Sequence, residues 1–141
     1  MARAGETISN PATGERVTFV RTAADTGGEL LEMELEWPFE GYRAAEHVHP
    51  ELEERFEVAA GTAAFRLGGV DQVLAGPGDV VTVPPGVAHL AWNPTAEAVR
   101  LRVEFRPALR WEEFVERLFA GEDVAGLMRE FRREIAPPPR G

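Results

Sequence analysis

All three histidines of the chain fall into one arrangement with a carboxylate: His47 and His49 two apart, Glu54 shortly after, and His89 further downstream. A neutral imidazole nitrogen is the commonest protein ligand for a metal ion. Side chains two apart on a β-strand project to the same face, so His47 and His49 can grip one ion. Four carboxylates flank the pair, at Glu46, Glu51, Glu53 and Glu54. Parity chooses among them. A strand beginning near Glu54 puts that residue on one face with Phe56 and Val58, which belong inside, and turns Glu53, Arg55 and Glu57 outward. Glu46 has the wrong parity relative to His47. Glu54 is therefore the inward carboxylate and the others form a solvated acidic rim. His89, 40 residues beyond His49, follows the Pro84-Pro85-Gly86 turn, where a distant strand can close a site in a barrel interior.

The rest of the inventory is narrow. There is no cysteine, hence no disulfide, thiolate ligand or thiol nucleophile. There is no lysine either, which excludes Schiff-base chemistry. Ser9 is the only serine and lies in an expected N-terminal loop, a poor place for a catalytic triad. Histidine, carboxylates, arginine and Tyr42 remain. The net charge of −9 argues against nucleic acid, which requires a basic face to displace counterions, and suits an anionic membrane poorly. No apolar run approaches the roughly 18 residues of a membrane span, and the first residues lack the apolar stretch of a secretory signal. The expectation is a soluble cytoplasmic protein.

The elements that must position these side chains are short strands. At 141 residues the chain suffices for one domain with its own core. Residues 1–15 form an N-terminal segment with a turn cluster at Asn10 to Gly14. From 16 to 106 apolar residues alternate with polar ones between Gly, Pro, Asn and Asp turns, which predicts a sandwich or closed barrel. Leu31, Met33, Leu35 and Trp37 alternate with Glu32, Glu34 and Glu36. Val99, Leu101, Val103 and Phe105 alternate with Arg100, Arg102 and Glu104. Strands are also expected over Phe56 to Ala59, Ala64 to Leu67 and Val80 to Val83. After Pro107 the period becomes helical, in Trp111, Phe114, Val115, Leu118 and Phe119 and again in Val124, Leu127, Met128, Phe131 and Ile135. Gly121 separates the two runs, with Glu122 or Asp123 opening the second. Residues 107–136 thus predict a helical pair covering the barrel or making a dimer contact, and 137–141 a disordered tail.

In this order the residues resemble the cupin superfamily. Gly41, His47, His49, Glu54 and Gly61 match its first motif, G-x5-H-x-H-x4-E-x6-G. Gly78, Pro84, Gly86, His89 and Asn93 match its second, G-x5-P-x-G-x2-H-x3-N. The short stretch between them, residues 62–77, is similar to that of small single-domain bacterial cupins, as are Asn10 to Arg16 and the Arg106-Pro107 exit into helices. The resemblance covers roughly residues 30–106. It implies an all-β, single-domain double-stranded β-helix, a jelly-roll barrel of six to eight strands, with a short C-terminal helical extension. It also implies one divalent transition metal held by His47, His49, Glu54 and His89. Imidazole with carboxylate suits iron, manganese, nickel, zinc or copper, whereas calcium and magnesium prefer oxygen alone. Such a set leaves coordination positions open, unlike a closed structural zinc site.

Plainer readings stand beside these. Gly61, Gly78, Pro84, Gly86 and Asn93 are most simply turn residues. The histidine cluster can also be a metal-free polar pocket. Arg43, on the parity of Ala45 and His47, either anchors a substrate carboxylate at the pocket mouth or makes a surface ion pair. Met33, Phe56, Phe65 and Val81 either line a substrate pocket or pack the core. Leu90 and Trp92 have the opposite parity to His89 and belong outside. The functional expectation is a metal-dependent enzyme, of dioxygenase or isomerase/cyclase type, acting on a small, mostly apolar organic molecule. The alternative is a non-enzymatic barrel that binds or senses a small ligand. An outward apolar face and the helices lead to the expectation of a homodimer.

Overall fold

The structure is a computed structural model that describes residues 2–42 and 44–139, with the backbone alone for Tyr42 and Asp71. The described residues form, in order, β1 (Thr7–Ser9), β2 (Arg16–Arg21), α1 (Ala23–Thr26), β3 (Leu31–Trp37), β4 (Gly41–Tyr42), β5 (Glu53–Ala60), β6 (Ala63–Leu67), β7 (Val70–Ala75), β8 (Val80–Val83), β9 (His89–Asn93), β10 (Val99–Arg106), α2 (Trp111–Phe119) and α3 (Val124–Glu130). The strands make two antiparallel sheets, β1-β2-β3-β10-β5-β8 and β4-β9-β6-β7. Together they are the expected all-β jelly-roll barrel. Short β1 and β4 raise the strand number above the expected eight. β1 lies within the N-terminal segment and extends the six-stranded sheet by pairing with β2.

Register turns the alternation of each strand into rows of side chains across the six-stranded sheet. Val17, Leu35, Leu101 and Val58 form one inner row, and Phe19, Met33, Val103, Phe56 and Val81 the next. Leu31, Phe105, Glu54 and Val83 form the third. Apart from half-buried Val81, the apolar members are buried. The rings of Phe56 and Phe65, with centroids 5.0 Å apart, join this sheet to the other. Each such side chain contributes about 1.5–3 kcal/mol by leaving water. The outer face of β3 and β10 is instead a ladder of ions, with Arg102 bridging Glu32 and Glu34, and Arg55 reaching Glu104.

Two positions show what the glycine ending the first motif and the asparagine ending the second do. Gly61 has a φ of 81°, and a Cβ there would lie 2.5 Å from the Ala98 carbonyl oxygen, so only glycine fits. Asn93 is fully buried; its amide donates to the carbonyls of Trp37 and Glu97, and its oxygen accepts from the Thr95 backbone and hydroxyl. These are structural duties, in line with their reading as turn residues.

The sequence pattern departs from the structure in several places, beginning with Ser9, expected in a loop but ending β1 opposite Arg16, and with the unexpected short α1. Residues 47–49 are extended but pair only through isolated bridges, His47 with His89 and Val48 with Ala136, rather than as a strand. Pro50 follows at once and has no N–H to continue a ladder. β7 went unpredicted because Asp71 and Gln72 interrupt its apolar residues. Finally, the helical spacing that reaches Ile135 outlasts the helix. α3, capped by Asp123 at the Gly126 N–H, ends at Glu130, and the chain after it makes a turn over 132–134 before Ala136 pairs with Val48.

Candidate metal centre

The segment 47–49 runs antiparallel to the start of β9, with His47 N–H donating to the His89 carbonyl and His89 N–H to the His47 carbonyl. This pairing brings the His47 and His89 rings to 4.6 Å between centroids. Their two-residue spacing puts His47 and His49 rings 4.9 Å apart on the same side. One ligand nitrogen from each of the three lies within 4.8 Å of the others. Glu54 enters from β5 in the opposite sheet, and its Oε1 lies 3.1 Å from Nε2 of both His49 and His89. His49 and His89 are only 2% and 1% exposed, whereas His47 is half-buried and forms the accessible side of the cluster.

Tautomers are decided by the backbone. Nδ1 of His47, His49 and His89 lies 2.7, 2.8 and 2.9 Å from the carbonyl oxygens of Ala45, Glu134 and Val87. A carbonyl only accepts, so each Nδ1 carries a proton and each Nε2 is the nitrogen left for the site, bare in the neutral ring and a donor to Glu54 only when the ring is charged. Metal-binding histidines are held this way, with the far ring N–H donated to a backbone carbonyl or carboxylate. The His49 ring is also boxed by Trp111 and Phe105, whose centroids lie 4.8 and 5.4 Å from its own.

Electrostatics point the same way. Burial alone would raise the Glu54 carboxyl, but hydrogen bonds from His49 and His89 bring it down to about 2. Burial, with the neighbouring His49, pulls His47 down to about 4, so it is neutral at physiological pH. Burial also pulls on His89, yet the hydrogen bond and charge of Glu54 outweigh it and raise the imidazole. The site thus holds a buried anion among three imidazole nitrogens and draws a positive charge into their midst, carried by a proton on Nε2 in the absence of an ion. A divalent cation answers that need better than a shared proton, and imidazole with carboxylate is a donor set for transition ions. The residues present therefore fit a divalent metal.

The four expected ligands come together. Arg43 lies outside the described residues. Met33, Phe56 and Phe65 are buried core members, and Val81 is half-buried at the edge of the row just below Glu54. Two shallow grooves lie elsewhere, on the outer ion ladder around Glu34, Leu35 and Arg100, and no histidine lines them. Leu90 and Trp92 are half-buried on β9, flanking inward Ala91. What the sequence could not reveal is the carbonyl set of Ala45, Val87 and Glu134, since every residue carries the same group. Trp111 was legible as helical core, with no sign that it would meet His49.

A family model described as a cupin domain matches residues 34–105. No curated protein matches the chain in sequence. Among solved structures, an RmlC-like cupin from Shewanella frigidimarina superposes with a TM-score of 0.63 at 22% identity, covering 79% of this chain and 94% of that one. The nucleoside dehydratase Pac13 gives 0.59 at 16% identity, covering 77% and 81%. The DMSP lyase DddQ from Ruegeria pomeroyi gives 0.51 at 30% identity, covering 58% and 40%. The matched stretch is half of the chain and contains all three histidines and Glu54, and the protein belongs to the cupin domain family.

Proposed function

We propose that this cupin is a metal-dependent enzyme acting on a small organic molecule. The observation that carries the reading is the convergence of three imidazoles, each with Nδ1 tied to a carbonyl and two of them in contact with the ionised Glu54. His47, His49, Glu54 and His89 would hold the ion. When bound, a divalent ion there supplies Lewis acidity toward a carbonyl or enol oxygen, or a place for dioxygen beside a chelated substrate. Isomerase or cyclase chemistry uses the first, dioxygenase chemistry the second.

The chain's own residues restrict what can react. His49 and His89 are closed off by core packing, so a substrate reaches the site on the His47 side. Phe56 and Val81 pair in the row next to Glu54, an apolar neighbourhood that suits a mostly apolar molecule. Glu54, held ionised near 2, is a weak proton acceptor at neutral pH and serves as an anionic ligand. The similarity to a DMSP lyase supports catalysis over a non-enzymatic ligand-binding role.

A second reading, a ligand-sensing barrel, draws on the hydrogen bond from His49 to the segment after α3. The test is elemental analysis of tag-free protein followed by turnover assays on a panel of enols and catechols. Metal-dependent product formation is expected. Turnover that survives exhaustive metal removal would sink the proposal, and ligand binding without product would favour the sensor.

A further inference from the structure

The chain after α3 does more than cover the barrel. Over six residues it makes three attachments at or beside the His47-Val48-His49 segment and one to α2. The Glu134 carbonyl accepts from His49 Nδ1 at 2.8 Å. Val48 N–H donates to the Ala136 carbonyl at 2.9 Å, and Ala136 N–H returns the bond at 3.0 Å. The Arg133 guanidinium grips both oxygens of Glu51 at 2.9 and 3.0 Å. Phe131 is fully buried, its ring 5.6 Å from that of Phe114.

Glu134 is the centre of this arrangement. Its carbonyl faces His49 while its buried carboxylate accepts the Arg110 backbone N–H, 3.1 Å away, at the start of α2. The next residue of α2, Trp111, sets its ring edge-on to His49. One residue therefore ties together the carbonyl that orients His49 and the helix whose aromatic ring confines it. Nothing about barrel closure requires a buried carboxylate here. A buried polar group costs stability unless it is paired, and its one described hydrogen bond is to that helix start.

We propose that residues 131–136 act as a positioning strap for His49, with Glu134 as the positioning residue that sets the ring's tautomer and angle toward a metal. The proposal rests on the metal-centre reading above. Oriented second partners of ligating histidines commonly govern affinity by about 10–100-fold, and here that partner lies outside the barrel sequence and outside both motifs. The C-terminal extension is then a part of the metal site.

The test is titration of metal-stripped full-length protein with cobalt(II), reading both the dissociation constant and the visible d–d spectrum. Glu134→Ala removes the anchor of the carbonyl and is expected to weaken cobalt binding about tenfold and to shift the spectrum. Glu134→Gln keeps an oxygen for the Arg110 N–H and is expected to restore both. Asn93→Ala, which loosens the connection after β9 at the opposite end of that strand from His89, should alter neither and separates positioning from general loss of stability. Wild-type affinity and spectrum in Glu134→Ala overturn the strap. Failure of the wild-type protein to bind cobalt overturns the metal-centre reading instead. Should Glu134→Ala not fold, Arg133→Ala decides, because its exposed pair with Glu51 can be removed without touching the core. Weaker cobalt binding with a changed spectrum in that variant supports the strap, and unchanged behaviour overturns it.

Discussion

Glu54 Oε1 lies 3.1 Å from Nε2 of His89, on a strand of the opposite sheet. The contact joins the two walls of the barrel through polar atoms at a point where every neighbouring row is apolar. It is the place where the fold gives up packing for chemistry, and the predictions start there.

His47→Ala and His89→Ala are each expected to purify without the metal, measured by elemental analysis of tag-free protein. Glu54→Gln should keep the shape but weaken binding more than about tenfold, since even indirect partners of a metal site are worth that much. Full stoichiometry in the two histidine variants would refute the ligand assignment.

Metal removal should lower thermal stability. An ion present at a hundred times its dissociation constant stabilises the folded state by about 2.7 kcal/mol. For a chain of this size that corresponds to a rise of roughly 5–10 °C in Tm. Calorimetry with and without a chelator measures it, and identical melting curves would speak against a site formed only in the folded chain.

Asn93→Ala should cost about 1–3 kcal/mol by leaving buried polar groups without partners. The carbonyls of Trp37 and Glu97 and the Thr95 amide are the groups affected. Urea unfolding reads the loss. Metal content should stay at the wild-type level, which distinguishes this loop-closing role from a role at the metal.

Phe65→Ala should cost about 3–5 kcal/mol in the same assay, the usual cost of emptying a core aromatic site. Phe65 is fully buried and packs on Phe56. A loss under about 1 kcal/mol would show that the ring lines open space rather than core.

A pH dependence follows from the ion cluster on the helices. Hydrogen bonds from Arg110 and Arg117 lower Glu113, and hydrogen bonds from Arg117 and Arg110 lower Glu130. A carboxyl lowered in the folded state stabilises it above the unfolded value, 4.5, and that stabilisation is lost as pH falls through the folded value. Urea midpoints of wild-type and Glu130→Gln protein should therefore differ at pH 7 and converge below 4.5. Both groups are solvent-exposed, so the difference should be small. A gap that widens on acidification would contradict the sign.

Strand periodicity made most of the barrel legible. The alternation of Leu31 to Trp37 and of Val99 to Phe105 placed both strands and their inner faces, because a half-buried strand cannot change parity without exposing its apolar set. The same rule separated Glu54 from Glu53 before any fold was known. It failed for β7, whose polar residues carry no clear alternation, and for 131–136, where a helical period continues into a turn and a single bridge.

The sequence by itself determined which residues have the chemistry and which wall of the barrel each belongs to, since these depend on side-chain type and on a local period of two. Only the tertiary structure decided how the rings are held. The carbonyls of Ala45, Val87 and Glu134 orient the three imidazoles, and a backbone carbonyl has no signature in sequence. The pairing of His49 with Glu134, 85 residues away, exists because the chain after α3 finds the Val48 backbone groups unpaired by any strand and bonds to them. That need to satisfy buried backbone polar groups is non-local, and it makes the C-terminal extension part of the site.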